Sequence, residues 1–338
     1  MVARIGTVLA VFGLMVGTLA PDVAAMWLEG GLGPALGRGA SLLGFKDEEQ
    51  RSPHYLCTLS VRKYFSSFTS YEFPNPFAPF QNPLSRLEFP IDQWFLGADV
   101  RYSARWWALA IDGAVNVSRE SQPMMQDSDW EDDARPGQKT VFSESKCRLN
   151  RGALLDVKLS LPSPIDLWLD ARPVVGYRQQ YFYFTTYDGF QSDIRGNRMP
   201  LPGDGIEFEQ TFYHIYVGAD CFLEFNGARL LNALPKGRLA VQADYAAVIA
   251  TNEDLHLLRS GERITREKSS GYCWRLGLRA LFWRMSDLTV GFEGDFKRIV
   301  TTGSHSLTNG PLGIDFSFGG SKIWSDQAWI GVIAESKF

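Results

Sequence analysis

Two short clusters of acidic residues and histidine are the strongest candidates for chemistry in this sequence. One contains Asp127 and Asp129, and the other contains Asp254 and His256. Residues i and i+2 of an extended segment point the same way, so each pair presents two groups to one space. A carboxylate beside a histidine fixes its tautomer and stabilises its protonated form, so the imidazole can take a proton from water. Two neighbouring carboxylates resist ionising together and can bind that same water.

Both clusters also have simpler explanations. A D-x-D or D-x-H pattern is a weak signal, and each stretch is also typical of a solvated acidic loop. A metal site is a further alternative because Asp and His are ligands, but no second histidine lies near either cluster. The other histidines are assigned to the first and sixth predicted strands and to the last long loop: His54, His214 and His305. We therefore predict no metal and no other cofactor.

Composition limits the classes of protein that this chain can be. It has 338 residues, a net charge of -4, 21% charged and 13% aromatic residues, which is typical of a folded protein. Without a basic excess we expect no nucleic-acid partner. A mean hydropathy of -0.13 excludes a polytopic helical membrane protein. It does not exclude a transmembrane barrel, whose strands are apolar on one face only.

The N-terminus has the pattern of an export signal. Arg4 precedes a predominantly apolar run over residues 5–20, and cleavage after Ala25 fits the small-residue rule. Residues 26–53 are rich in glycine and have no assigned role. Export permits disulfides, yet the four cysteines are widely spread and predict no pairing: Cys57, Cys147, Cys221 and Cys273.

Two-residue alternation of apolar and polar side chains predicts an all-β protein over residues 54–338. Ten strands are expected, at 54–68, 88–103, 105–118, 149–161, 166–186, 206–226, 237–252, 268–284, 287–303 and 323–338. Their number is even, and short turns mostly alternate with connections of fifteen to thirty residues. This is the pattern of an antiparallel outer-membrane barrel with long extracellular loops, and a sandwich has no reason to show it. Both acidic clusters then fall in outer loops, after the third and seventh strands.

Several segments of the sequence resemble the omptins, a family of ten-stranded outer-membrane endopeptidases. The segment from Ser85 to Trp130 has the omptin spacing, and Asp254-Leu255-His256 precedes a stretch similar to the family's G-x-R-I-T, at 261–265. Gly176-Tyr177 and Phe208-Glu209-Gln210 are similar to their omptin counterparts. The resemblance covers residues 70–338.

The resemblance implies a role for each candidate residue. Asp254 and His256 would form the activating dyad, and a water held between His256 and the Asp127/Asp129 pair would attack the peptide carbonyl. Omptins cut next to basic residues, which implies an acidic substrate pocket. Glu72 lies where the family's pocket glutamate stands, whereas Asn252 replaces a frequent aspartate and weakens the expected preference.

Omptins also require lipopolysaccharide, and here the usual binding residues are not matched. Tyr177, Gln179 and Tyr181 stand at the corresponding positions, and Thr211 replaces a basic residue. The expected partners are peptide or protein substrates and outer-membrane lipid, with the chain a monomer in the cell outer membrane. The alternative is an omptin-like barrel that acts as an adhesin or host-protein receptor with little proteolysis; a small porin is a third hypothesis.

Overall fold

The computed structural model describes seven segments of the chain. They are residues 54–75, 81–162, 170–225, 237–258, 263–285, 288–308 and 315–338. The predicted signal peptide (1–25) and the glycine-rich segment (26–53) lie outside the described residues. No helix among the described residues is long and apolar enough to cross a membrane.

Within the described residues, twelve strands form one antiparallel sheet that closes on itself. In chain order they are β1 (His54–Phe73), β2 (Ser85–Pro90), β3 (Trp94–Ser103), β4 (Ala108–Asn116), β5 (Met125–Asp129), β6 (Val141–Ser160), β7 (Asp170–Asp193), β8 (Arg198–Phe225), β9 (Gly237–His256), β10 (Arg263–Met285), β11 (Leu288–Thr308) and β12 (Phe316–Lys337). Each strand pairs with its neighbours, and β12 pairs with β1 to close the ring.

Two of the ring positions hold interrupted strands. β3 pairs with the first half of β1, and β2 pairs with its last six residues, 68–73. Likewise β4 pairs with residues 153–160 of β6, and β5 pairs with residues 141–145. The twelve strands therefore fill ten positions, which confirms the predicted ten-stranded barrel.

The predicted strand ends and loop lengths were wrong on one side of the barrel. β7 and β8 continue to a turn at 194–197, where a connection of about twenty residues was expected. Asp127 and Asp129 lie on β5, and Asp254 and His256 end β9, so all four are strand residues rather than loop residues. Gly, Pro and Asp interrupt the apolar alternation here, but the strands still pair with each other, and this pairing satisfies their backbone groups.

The outer surface of the barrel carries an apolar band suited to lipid. Its exposed side chains include Leu59, Val61, Leu96, Ile215, Val217, Tyr245, Ile249, Trp274, Leu276, Leu278, Phe292, Phe296, Ile330 and Val332. The start of β1 and the end of β12 lie at one end of the barrel. At the opposite end, the strands extend several residues beyond the apolar band. We call this the outer end; β9 ends there at His256 and β10 begins there at Arg263.

Ion pairs fill the lumen inside the band. Arg62 contacts Asp112 at 2.7 Å and Glu293 at 2.9 Å, and Arg178 contacts Asp156 at 2.9 Å and Asp244 at 3.1 Å. Buried charges are tolerated when they are paired and hydrogen-bonded. The barrel is thus closed by its own side chains, as expected for ten strands.

Above the ion pairs, aromatic rings form a floor across the lumen. Phe208 of β8 stacks on Phe89 of β2 with ring centroids 4.1 Å apart, and on Tyr71 of β1 at 5.4 Å. Phe184 of β7 lies 5.4 Å from Phe89. These rings join opposite walls of the barrel just below its outer end.

Truncating the central ring of this floor should destabilise the barrel. Phe208 is fully buried, so Phe208→Ala leaves a cavity and should lower the free energy of unfolding by about 3–5 kcal/mol. Urea titration in lipid vesicles measures this change. Thr211→Ala, on the outer face of the same strand, is the control and should change it by less than about 0.5 kcal/mol. Equal effects of the two substitutions would contradict the role of the floor.

Candidate active site

Asp254 and His256 lie together in the last three residues of β9. Alternate residues of β9 from Asp244 to His256 are buried, so both side chains point into the lumen. His256 Nε2 lies 3.5 Å from Asp254 Oδ1, which is within ion-pair distance. Catalytic hydrogen bonds are commonly this long before substrate binds. The structure therefore places the two residues of the predicted dyad next to each other.

Asp254 is unusual because its carboxyl group is buried and accepts no hydrogen bond from the described residues. Its exposed fraction is 1%, and neither Oδ1 nor Oδ2 has a hydrogen-bond partner in that part of the chain. A buried carboxylate in this state costs several kcal/mol unless a cation or donor approaches it. His256 is the adjacent group that can supply the positive charge.

Asp127 and Asp129 lie on β5, which pairs with β2 on one side and with β6 on the other. Asp127 is opposite Leu87 of β2 and Ser143 of β6, and Ser85 Oγ donates to Asp127 Oδ1 at 3.4 Å. The backbone carbonyl of Asp129 accepts hydrogen bonds from the Thr140 amide at 2.8 Å and hydroxyl at 3.1 Å. The two aspartates occupy successive inward positions and form a second carboxyl pair.

The two pairs lie on different walls of the barrel, which the aromatic floor connects. β6, β7 and β8 separate β5 from β9 on one side, and the other strands separate them on the opposite side. Phe208 is in register with Asp254, and its stacking partner Phe89 is two residues from Leu87, the residue opposite Asp127. The stacked rings of Phe208 and Phe89 therefore connect the β9 side of the lumen to the β5 side.

Glu72 does not join these residues. Its neighbours Tyr71 and Phe73 contact Phe208 and His305 inside the barrel, whereas Glu72 points to the outer wall. There it pairs with Arg86 at 2.5 Å, and Arg86 also lies over the ring of Trp324. The placement gives no support to Glu72 as a residue of the substrate pocket.

A β-bulge explains the position of Glu72. The register between β1 and β12 shifts between Phe65 and Phe68, where β1 has one extra residue, and Ser66 adopts a φ of 47°. An extra residue exchanges the inward and outward faces of everything that follows in the strand. Arg62 and Tyr64 face inward before the bulge, and Thr69 and Tyr71 face inward after it.

Asn252 faces the lumen one layer below Asp254 and belongs to a buried hydrogen-bonded chain. Its Oδ1 accepts from Gln210 Nε2 at 3.0 Å, and its Nδ2 donates to Glu267 Oε2 at 2.9 Å. Thr69 Oγ1 donates to Gln210 Oε1 at 2.5 Å. The amide therefore bridges Gln210 and the carboxyl group of Glu267.

Glu267 and His305 are the residues that the sequence analysis missed. His305 Nδ1 lies 3.0 Å from Glu267 Oε1, and both side chains are buried. His305 was expected in a long loop, but β11 extends to Thr308 and includes it. The alternation of inward-facing and outward-facing residues could have predicted both. Glu267 and His305 are flanked by the outward-facing polar residues Lys268, Ser304 and Ser306.

The described residues contain neither a metal-binding cluster nor a disulfide. No three His, Cys, Asp or Glu side chains come together there in a way that could hold a metal ion. The four cysteines remain unpaired in the described structure, with Cys147 and Cys273 buried and Cys57 and Cys221 partly exposed.

Family comparison decides the class of the protein. The model of the omptin family matches residues 81–299, which is more than half of the chain. The chain belongs to the omptin family. Family membership assigns this omptin to the outer-membrane proteases, and it confirms the predicted fold and the location in the cell outer membrane. None of the curated proteins matches the chain by sequence.

A solved structure has the same fold at low sequence identity. The crystal structure of the outer membrane protease OmpT from Escherichia coli matches with a TM-score of 0.73 and 16% identity, covering 84% of this chain and 97% of that one. The translocator domain of the autotransporter NalP from Neisseria meningitidis reaches a TM-score of 0.34 at 7% identity, covering 86% of this chain and 90% of that one.

Proposed function

We propose that this omptin is an endopeptidase that hydrolyses peptide bonds with a water activated between Asp254–His256 and Asp127–Asp129. The observation that supports this proposal best is the buried carboxyl group of Asp254, which has no hydrogen bond from the described residues and lies 3.5 Å from His256. The aromatic floor connects this wall to the β5 wall, which carries the second carboxyl pair. This reaction requires a general acid, a general base and a position for water between them.

The proposed reaction proceeds in two proton-balanced steps. His256 takes a proton from the water as its oxygen bonds to the peptide carbonyl carbon, and Asp254 stabilises the imidazolium that results. The tetrahedral intermediate then collapses, the C–N bond breaks, and His256 returns the proton to the leaving amine. Asp127 and Asp129 orient the water. No acyl-enzyme forms, because the nucleophile is water.

The proposed substrates are peptides or proteins at the cell surface, cut next to a basic residue. The two acidic pairs favour a cationic side chain. The preference is weak because Asn252 is uncharged and Glu72 is paired with Arg86 on the outer wall.

A single substitution should strengthen that preference. Asn252→Asp adds a carboxyl group to the lumen wall beside Asp254, and we expect kcat/KM for arginine over glutamine peptides to rise about tenfold. Thr251→Asp adds the same charge to the outer face of β9 and serves as the matched control, with an expected change below about twofold. An unchanged ratio in Asn252→Asp would show that position 252 does not contact the basic side chain.

We further propose that the outer face of β7 contacts outer-membrane lipid. Alternate residues of β7 face the lumen at Arg178, Gln180 and Phe182, so Tyr177, Gln179 and Tyr181 face outward. The Tyr177 hydroxyl donates to Gln179 Oε1 at 3.3 Å. An outer wall of aromatic and amide groups fits lipid at the membrane interface. It offers no cation for a phosphate among these three residues.

Peptide cleavage by the refolded protein tests the proposed function. Quenched fluorescent peptides with dibasic or neutral sequences are incubated with the protein, with and without lipopolysaccharide. We expect cleavage, faster for the dibasic peptide. If well-folded protein cleaves neither peptide under either lipid condition, the proposal fails and a binding barrel becomes the better explanation.

A further inference from the structure

One polar layer of the lumen lies directly below the dyad. Gln210, Asn252, Glu267 and His305 are register partners on four consecutive strands, β8 to β11. We call these four residues the Glu267 layer. Each side chain is buried, with 6% or less of its surface exposed. The layer lies at the outer end of the barrel, above the lipid-facing band.

The hydrogen bonds of the Glu267 layer run in one direction. Thr69 donates to Gln210, Gln210 to Asn252, and Asn252 to Glu267 Oε2. The remaining bond joins Glu267 Oε1 to His305 Nδ1 over 3.0 Å. A protonated Glu267 completes the series by donating to His305, so every member of the chain has a donor matched to an acceptor.

Asp254 gives a reason for that proton to be on Glu267. Asp254 is opposite Thr265 on β10, two residues from Glu267, so the two carboxyl groups are diagonal neighbours on one wall. Two carboxyl groups this close in a dry environment do not both ionise readily. Burial and the charge of Asp254 raise the pKa of Glu267 well above its usual range.

The surroundings of His305 also favour an uncharged pair. Its ring packs between Phe73 at 4.4 Å and Phe318 at 4.8 Å, and burial lowers the pKa of His305 to about 4. The ionisable side chains near the layer include Tyr71 of β1, Asp254 and His256 of β9, and Arg263 of β10. Thr69, Phe73 and Phe318, which contact the layer, are uncharged.

We propose that Glu267 and His305 are a positioning pair for the dyad. Glu267 stays protonated and donates a hydrogen bond to His305 while the enzyme works. The inference rests on the proposed function. An uncharged Glu267 leaves Asp254 as the charged carboxyl group of that wall. If Glu267 lost its proton to solvent, two negative charges would lie at diagonal positions and displace Asp254. If the proton moved from Glu267 to Asp254 instead, Asp254 would lose its charge. Either change removes the partner that His256 needs.

Infrared difference spectroscopy tests the proton without requiring proteolysis. The spectrum of the wild-type protein minus that of Glu267→Gln at neutral pH should contain the carbonyl band of a protonated carboxyl group, shifted in D2O. Absence of this band overturns the inference and leaves the proposed function untouched. Absence of peptide cleavage would instead remove the proposed function.

The pH profile of activity tests the positioning role. Glutamine can donate to His305 and accept from Asn252 without ionising, so Glu267→Gln should keep kcat/KM within about threefold at the optimum. Its alkaline fall should lie at least about one pH unit above that of the wild type. Superimposable profiles overturn the inference. In wild-type protein alone, the infrared band should be lost at the pH where activity falls, and loss at unrelated pH values also overturns it.

Discussion

His256→Ala should lower kcat/KM for peptide cleavage by about 10³-fold or more. A positioned general base contributes about 10²–10⁴-fold to a proton-transfer reaction, and here the same group returns the proton to the leaving amine. KM should change little, because His256 acts on the water rather than on the substrate. Single-turnover cleavage of a quenched fluorescent peptide, with enzyme in excess, measures the residual rate.

Glu253→Gln is the matched control for this prediction. Glu253 lies between Asp254 and Asn252 in sequence but faces the outer wall, where it pairs with Arg266 at 2.7 Å. It should retain wild-type activity within about twofold, since exposed ion pairs contribute little. A His256→Ala variant as active as Glu253→Gln would eliminate His256 as the base.

Asp127→Asn and Asp129→Asn should each lower kcat by about 10²–10³-fold. Each substitution keeps the size of the side chain and removes the charge that orients the water and balances the developing positive charge on His256. The expected loss is smaller than for His256→Ala because one carboxyl group of the pair remains. Steady-state kinetics with the same peptide measure it.

Ser128→Ala controls for damage to β5. Ser128 lies between the two aspartates and faces away from them, opposite Arg86, and its hydroxyl has no hydrogen-bond partner among the described residues. The variant should keep activity within about twofold. Equal activities of the three variants would show that the β5 carboxyl groups do not take part in the reaction.

Much of this barrel follows from the sequence because lipid imposes a strict two-residue period on its strands. Leu276 and Leu278 alternate with Arg275 and Gly277, and the structure places the leucines in the exposed band. The same period correctly predicts that Asp254 and His256 share a face.

The remaining differences come from interactions that alternation does not encode. The single extra residue near Ser66 turns Glu72 to the outer wall, and ungapped spacing from Ser85 contains no sign of it. The pairing of Glu267 with His305 depends on the register of β10 and β11 over their full length. Strand segments that extend beyond the membrane have no apolar outer face, so the sequence pattern does not reveal them. The predicted strands are therefore too short at the outer end of the barrel.

A double-substitution cycle tests most directly whether the two walls activate one water. Single-turnover rates are measured for wild-type protein, His256→Ala, Asp127→Asn and the variant with both changes. Residues that act as a unit lose little more together than the worse single variant loses alone. We predict a double variant within about threefold of His256→Ala. A loss equal to the product of the two single losses would contradict a shared water and separate the two pairs into independent sites.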